Sequence, residues 1–120
     1  MRLEQECGVT VVSLKNAARL VEARGVPDRI ELHIDRDRRT CVTAEWLSDA
    51  GVSWHAFTGF SWGYCGEGPR GLRMFLSSVG VKITFQRIAT MWRSKPGTVA
   101  EINRRGKGWH MAVEGEGSAA

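Results

Sequence analysis

The 120-residue sequence predicts an α+β fold: a single compact domain over residues 1–114, with an antiparallel sheet containing a β-hairpin and two or three helices, then a disordered tail over 115–120. Three observations carry that expectation. Apolar residues recur at helical spacing around Leu14 and around Leu72. They alternate at strand spacing through residues 30–34 and again through 42–46. Helices and strands are interleaved with one clear local hairpin, which favours α+β over a doubly wound parallel sheet.

Residues 9–12 are expected to form a short strand, with Ser13 as the N-cap of the first helix. Leu14, Ala17, Ala18 and Val21 would share the buried face of that helix, Lys15, Arg19 and Glu22 the solvent face, and Gly25, Val26 and Pro27 end it. Next, Ile30, Leu32 and Ile34 alternate with Glu31, His33 and Asp35, and after the polar turn 36–39 the alternation resumes as Val42, Ala44 and Trp46. This is a hairpin whose apolar positions share one face. A His between two carboxylates suits acid/base work or a metal, although a solvated polar face is the commoner meaning of that pattern.

Residues 47–60 look irregular, a loop pinned to the core by Trp54, His55, Phe57 and Phe60. The run from Phe60 to Leu72 then sets Trp62 and Tyr64 among Gly63, Gly66, Gly68 and Gly71. Pro69 suits a first helical position, and Leu72, Phe75, Leu76 and Val79 form an apolar stripe closed by Gly80. Val81, Ile83 and Phe85 alternate as a strand. Residues 88–92 fit either an extension of it or a new helix, residues 98–105 a short helix, and residues 109–113 a last strand.

Gly66, Gly68 and Gly71 match the spacing GxGxxG, but no acid lies between Glu67 and Glu101 to hold a ribose, and Pro69 interrupts the fingerprint, so a dinucleotide site is rejected. No Gly-Lys-Ser or Gly-Lys-Thr follows, so a nucleotide-hydrolase phosphate loop is rejected too. What remains is a general anion or partner site. Free amides near Gly68 to Gly71, the positive end of the following helix and the guanidiniums of Arg70 and Arg73 would hold a phosphate or carboxylate; Trp62 or Tyr64 would stack a base; Glu67 would meet a hydroxyl or base edge, and Gly66 belongs to the same candidate site. The competing use of such glycines is close packing of backbone.

Cys7, Cys41 and Cys65 are far apart, odd in number and form no CxxC, so reduced thiols are expected, with no metal or cofactor. Cys65 near a helix start and His55 make a thin case for thiol catalysis. No apolar run approaches the length of a membrane span, so no membrane is expected and a cytoplasmic protein is the default.

The net charge of +4 is uneven. Residues 1–60 carry eight Lys and Arg against nine Asp and Glu; residues 61–120 carry nine against four. A basic second half admits nucleic acid as a partner, through Arg87, Arg93, Lys95, Arg104, Arg105 and Lys107 with Trp92 or Trp109 interleaved, although no nucleic-acid-binding motif accompanies it.

The stretch Thr58-Gly59-Phe60-Ser61-Trp62-Gly63-Tyr64-Cys65-Gly66-Glu67-Gly68-Pro69 resembles the signature of an uncharacterised family of small phage and mobile-element proteins, whose pattern runs roughly G-F-x-W-G-Y-G-G-S-G-P before an amphipathic helix. Cys65 stands at a glycine of that pattern and Glu67 at a serine; the usual Ala-Gln-Leu-Ala is replaced by Arg70-Gly71-Leu72-Arg73. The resemblance covers the motif and its helix. It implies an accessory protein of a phage or integrated element, a setting rich in inhibitors of host defence and DNA-associated proteins, and it argues against Cys65 as a required nucleophile. The expected function is therefore a small non-enzymatic binding protein, monomer or oligomer, whose aromatic and glycine loop takes a host protein or a nucleotide-like anion, with nucleic-acid binding as the alternative.

Overall fold

A computed structural model describes residues 9–91 and 96–113. The elements run α1 (Thr10–Arg24), β1 (Arg29–Ile34), β2 (Thr40–Ser48), β3 (Gly51–Phe57), α2 (Glu67–Ser78), α3 (Phe85–Thr90), β4 (Gly97–Arg105) and β5 (Gly108–Val113). The five strands form one sheet in the order β3-β2-β1-β4-β5, every pair antiparallel. This is the expected α+β class, with three helices. The tail expected over 115–120 lies outside the described residues.

The β1–β2 hairpin follows the alternation read from sequence. Arg29 faces Glu45, Leu32 faces Val42, and Ile30, Leu32, Ile34, Val42, Ala44 and Trp46 are all buried. Their face receives the stripe of α2, in which Leu72, Phe75, Leu76 and Val79 are buried as expected. Phe57, Phe60 and Phe75 pack as a cluster with ring centroids 5.1 to 5.4 Å apart. The opposite face of the sheet is covered by no helix among the described residues. It carries Arg29, Glu31 and His33 of β1, Cys41, Thr43 and Glu45 of β2, Trp54 and Ala56 of β3, and Glu101 and Asn103 of β4, placed in rows by the strand register.

Five expectations are corrected. Residues 9–12 are no strand: α1 starts at Thr10, and Ser13 is a wholly buried helical residue that accepts the Gly59 N–H at 2.8 Å instead of capping the helix. Ala18 is exposed, so the buried side of α1 is centred on Ser13 and Ala17. Residues 51–57 are a strand, not irregular chain; its inward positions include Ser53 and His55, which hid the alternation. Residues 81–84 belong to no strand, and Thr84, at which the chain is extended, turns it into α3 by accepting the Arg87 N–H at 3.1 Å. Residues 98–105 form β4, not a helix, because Val99, Ala100 and Ile102 are drawn into the core between β1 and β5. Tertiary burial outweighs the modest helical propensity of Ala, Glu and Arg there. Pro69 is a smaller correction, since α2 begins two residues earlier, at Glu67.

Candidate functional site

The glycine and aromatic loop leaves β3 and runs to the N-terminus of α2, and its glycines answer to packing. A Cβ on Gly68 would collide with Ser61 Oγ and stand 2.9 Å from Tyr64 Oη; one on Gly66 would press into the Tyr64 ring at 2.6 Å. At Gly71 a Cβ would strike Thr10 of α1 and approach Phe60 to 3.2 Å. The glycines thus let the loop fold onto itself and let α2 lie against α1. Gly63 N–H bonds the Ile88 carbonyl at 2.9 Å, which ties the loop to the end of α3.

Trp62 is wholly buried in the core, so its indole offers no stacking face to a ligand. That corrects the expected role of the residue. Tyr64 is 41% exposed, with its hydroxyl accepting from Ser61 at 2.8 Å. Glu67 is exposed in the first turn of α2. Arg70 stands over the Phe85 ring at 5.9 Å, and Arg73 is exposed on α2; neither lines the large groove that Tyr64, Glu67 and Gly68 help to form. The structure therefore divides the sequence-predicted set. Tyr64, Glu67 and Gly68 face one surface, Arg70 and Arg73 another, and Trp62 faces none.

That groove, of about 1120 Å³, lies on the uncovered face of the sheet. Glu31, His33, Thr43, Glu45 and Trp54 contribute to it from β1, β2 and β3, the β1–β2 turn adds Arg38 and Arg39, the loop supplies residues 58–61 with Tyr64, and the first turn of α2 supplies Glu67 and Gly68. Arg38 is held at φ 64 by that turn, where its N–H bonds the Asp35 carbonyl at 3.0 Å and Asp35 Oδ1 accepts the Arg39 N–H at 2.9 Å.

Three carboxylates on this face surround one guanidinium. Arg29 bonds Glu31 at 2.9 Å, Glu45 at 3.5 Å and, by its Nη2, Glu101. Desolvation works against the Arg29 charge, but the Glu101 hydrogen bond and the fields of Glu31, Glu101 and Glu45 outweigh it and raise its pKa further. A raised pKa gives a contribution present below the unfolded value and lost only as pH rises through the folded one, so Arg29 stays charged at every ordinary pH. Glu31 and Glu101 are register partners, and like charges directly opposite repel. Arg29→Met is thus expected to lower stability by about 1–2 kcal/mol, since it strands three partly exposed acids, with the deficit shrinking in high salt; urea unfolding at two salt concentrations checks this.

His33 sits between Glu31 and Asp35, with its Nδ1 buried, unbonded and 3.8 Å from Glu31 Oε1. Among the described residues no cluster of His, Cys, Asp and Glu is arranged to hold a metal. Cys41 is buried and Cys65 exposed, while His55 is buried against Phe57 with ring centroids 4.6 Å apart.

The basic residues of the alternative reading are spread out. Arg87 is exposed on α3; Arg105 and Lys107 are exposed at the β4–β5 turn; Arg93 and Lys95 lie outside the described residues. Arg104 is engaged by Asp28 Oδ1 at 3.1 Å and the Val26 carbonyl at 3.4 Å. No described helix is long and apolar enough to cross a membrane.

Sequence reasoning missed the groove because its parts come from three strands and a loop, and β3 was hidden. The legible signal was the run Glu31, His33, Asp35 facing away from the apolar positions. No protein-family model, curated protein or solved structure matches the chain.

Proposed function

We propose that the chain is a small non-enzymatic binding protein of phage or mobile-element type that engages a host protein through the uncovered face of its sheet. The observation that carries this reading is the groove itself: a broad concavity on a sheet face that no described helix covers, with the motif loop as one of its walls. An ordinary protein contact buries about 800 Å² on each partner, a scale that one face of a five-stranded sheet can supply. Trp54 and Tyr64 give the groove the aromatic side chains that anchor protein contacts. Inhibition of a host defence is the role that the loop's phage-type resemblance suggests.

A nucleotide-like anion suits this groove poorly. Glu31, Asp35, Glu45 and Glu67 line it against Arg38 and Arg39, so acids outnumber bases and disfavour a phosphate, while Arg70 and Arg73 stand elsewhere. The experiment is affinity capture from the natural host with three forms of the protein. A host protein recovered by the wild type should be lost with Thr43→Arg, which fills the groove floor, and kept with Arg73→Glu on α2, provided both variants match the wild type in unfolding midpoint. The reverse pattern would place the contact surface on α2 and overturn the reading.

A further inference from the structure

We infer that the β2–β3 end of the open face recognises an arginine followed two residues later by an apolar side chain, in an extended segment of the partner protein; this rests on the reading of the groove as a protein-binding surface. The argument begins with what the face already holds. Its three carboxylates gather around the guanidinium of Arg29, so this set of acids is built on guanidinium geometry, yet one cation answers three anions. Among the described residues, Glu45 Oε1 and Glu101 Oε2 accept no hydrogen bond, which leaves an acceptor on either side of Arg29.

The second part is Trp54. It is the register partner of Glu45, so the indole and the half-used carboxylate stand side by side on adjacent strands. A planar guanidinium can stack on an indole and donate to a neighbouring carboxylate at the same time, whereas a compact ammonium cannot match both. The same chain already sets Arg24 over Trp46 at 5.4 Å.

The third part is apolar. One step further along the same face Leu47 pairs with Val52, and these are 63% and 59% exposed. Side chains two residues apart in an extended segment point the same way and are about 7 Å apart, the same spacing that separates Glu45 from Leu47 along β2. An arginine over Trp54 and Glu45 therefore places the side chain two residues on over Leu47 and Val52. The groove's own cations, Arg38 and Arg39, lie at the other end of the hairpin, about 20 Å from Glu45 along the chain, beyond effective repulsion in physiological salt.

The test is an NMR titration of the isotope-labelled protein with three blocked peptides: Gly-Arg-Thr-Leu-Gly, the same peptide with Lys for Arg, and the same with Glu for Arg. The arginine peptide should shift the Trp54 indole signal and the amides of Glu45 and Val52, should weaken as salt rises, and should bind at least threefold tighter than the lysine peptide. Glu45→Gln and Trp54→Ala, each checked for an unchanged fold by its amide spectrum, should each weaken it at least threefold. Equal binding of the three peptides, or shifts confined to other surfaces, would overturn the arginine assignment. If that happens while Thr43→Arg still abolishes host-protein capture, the groove reading survives without it; if capture is also indifferent to Thr43→Arg, both fall.

Discussion

Trp62→Ala is expected to cost about 3–5 kcal/mol, the range for truncating a large buried aromatic, and so to remove a large share of the roughly 5–15 kcal/mol that holds an ordinary domain folded. Trp62 is among the largest wholly buried side chains and belongs to the same cluster as Phe60, Leu72 and Ile88, so its removal opens a void where the loop, α2 and α3 meet. Gly63, the next residue, anchors the loop to Ile88, so the surroundings cannot collapse without breaking that bond. Urea unfolding followed by far-UV circular dichroism measures the loss. A cost under about 1 kcal/mol would show that the indole is not the core element described. Any loss of partner binding in this variant is a folding effect, which makes Trp62 unsuitable for mapping a contact surface.

Gly59→Ala should rank next. A Cβ at this position would collide with the carbonyl of Val9, which is backbone and cannot rotate aside, and would come within 2.7 Å of Ser13 Oγ. Gly59 also donates its N–H to that same Ser13 Oγ and accepts the Thr10 hydroxyl at 2.8 Å through its carbonyl. One methyl group therefore forces the start of α1 away from the loop and breaks both bonds. The expected cost is about 3 kcal/mol, at the upper end for overpacking. Gly25→Ala offers a control: a Cβ there meets nothing within 4 Å, so the cost is limited to the strain of its φ of 82. A smaller loss at Gly59 than at Gly25 would refute the packing role of the loop glycines.

The parts of the fold that were legible are those whose instructions are local. The β1–β2 hairpin is written in six alternating apolar residues on either side of a short polar turn, and α2 in a stripe four residues deep closed by Gly80. The parts that were not legible depend on distant partners. β4 reads as a helix until β1 and β5 flank it, and α1 begins inside a run of Val and Thr because Thr10 and Ser13 find Gly59, more than forty residues on. The candidate site divides the same way. Tyr64, Glu67 and Gly68 were found because they lie within five residues of one another at the loop–α2 junction; the carboxylates of Glu45 and Glu101 were missed because only sheet register brings them to Arg29.

The placement of β1 in the middle of the sheet bears on how the protein is made. Its hairpin with β2 can form as soon as residue 48 is available, but its other neighbour, β4, ends at Arg105, and the Arg29–Glu101 contact spans 72 residues. During synthesis the backbone groups along that flank of β1 must wait until residues 97–105 have been made, with the edge bare in the meantime. Such long-range closure slows folding and leaves a nascent chain open to pairing with other chains. Substitutions that weaken the pairing of residues 97–105 with β1 are therefore expected to lower expression yield at high synthesis rates, and this is the same strand that brings Glu101 to the open face.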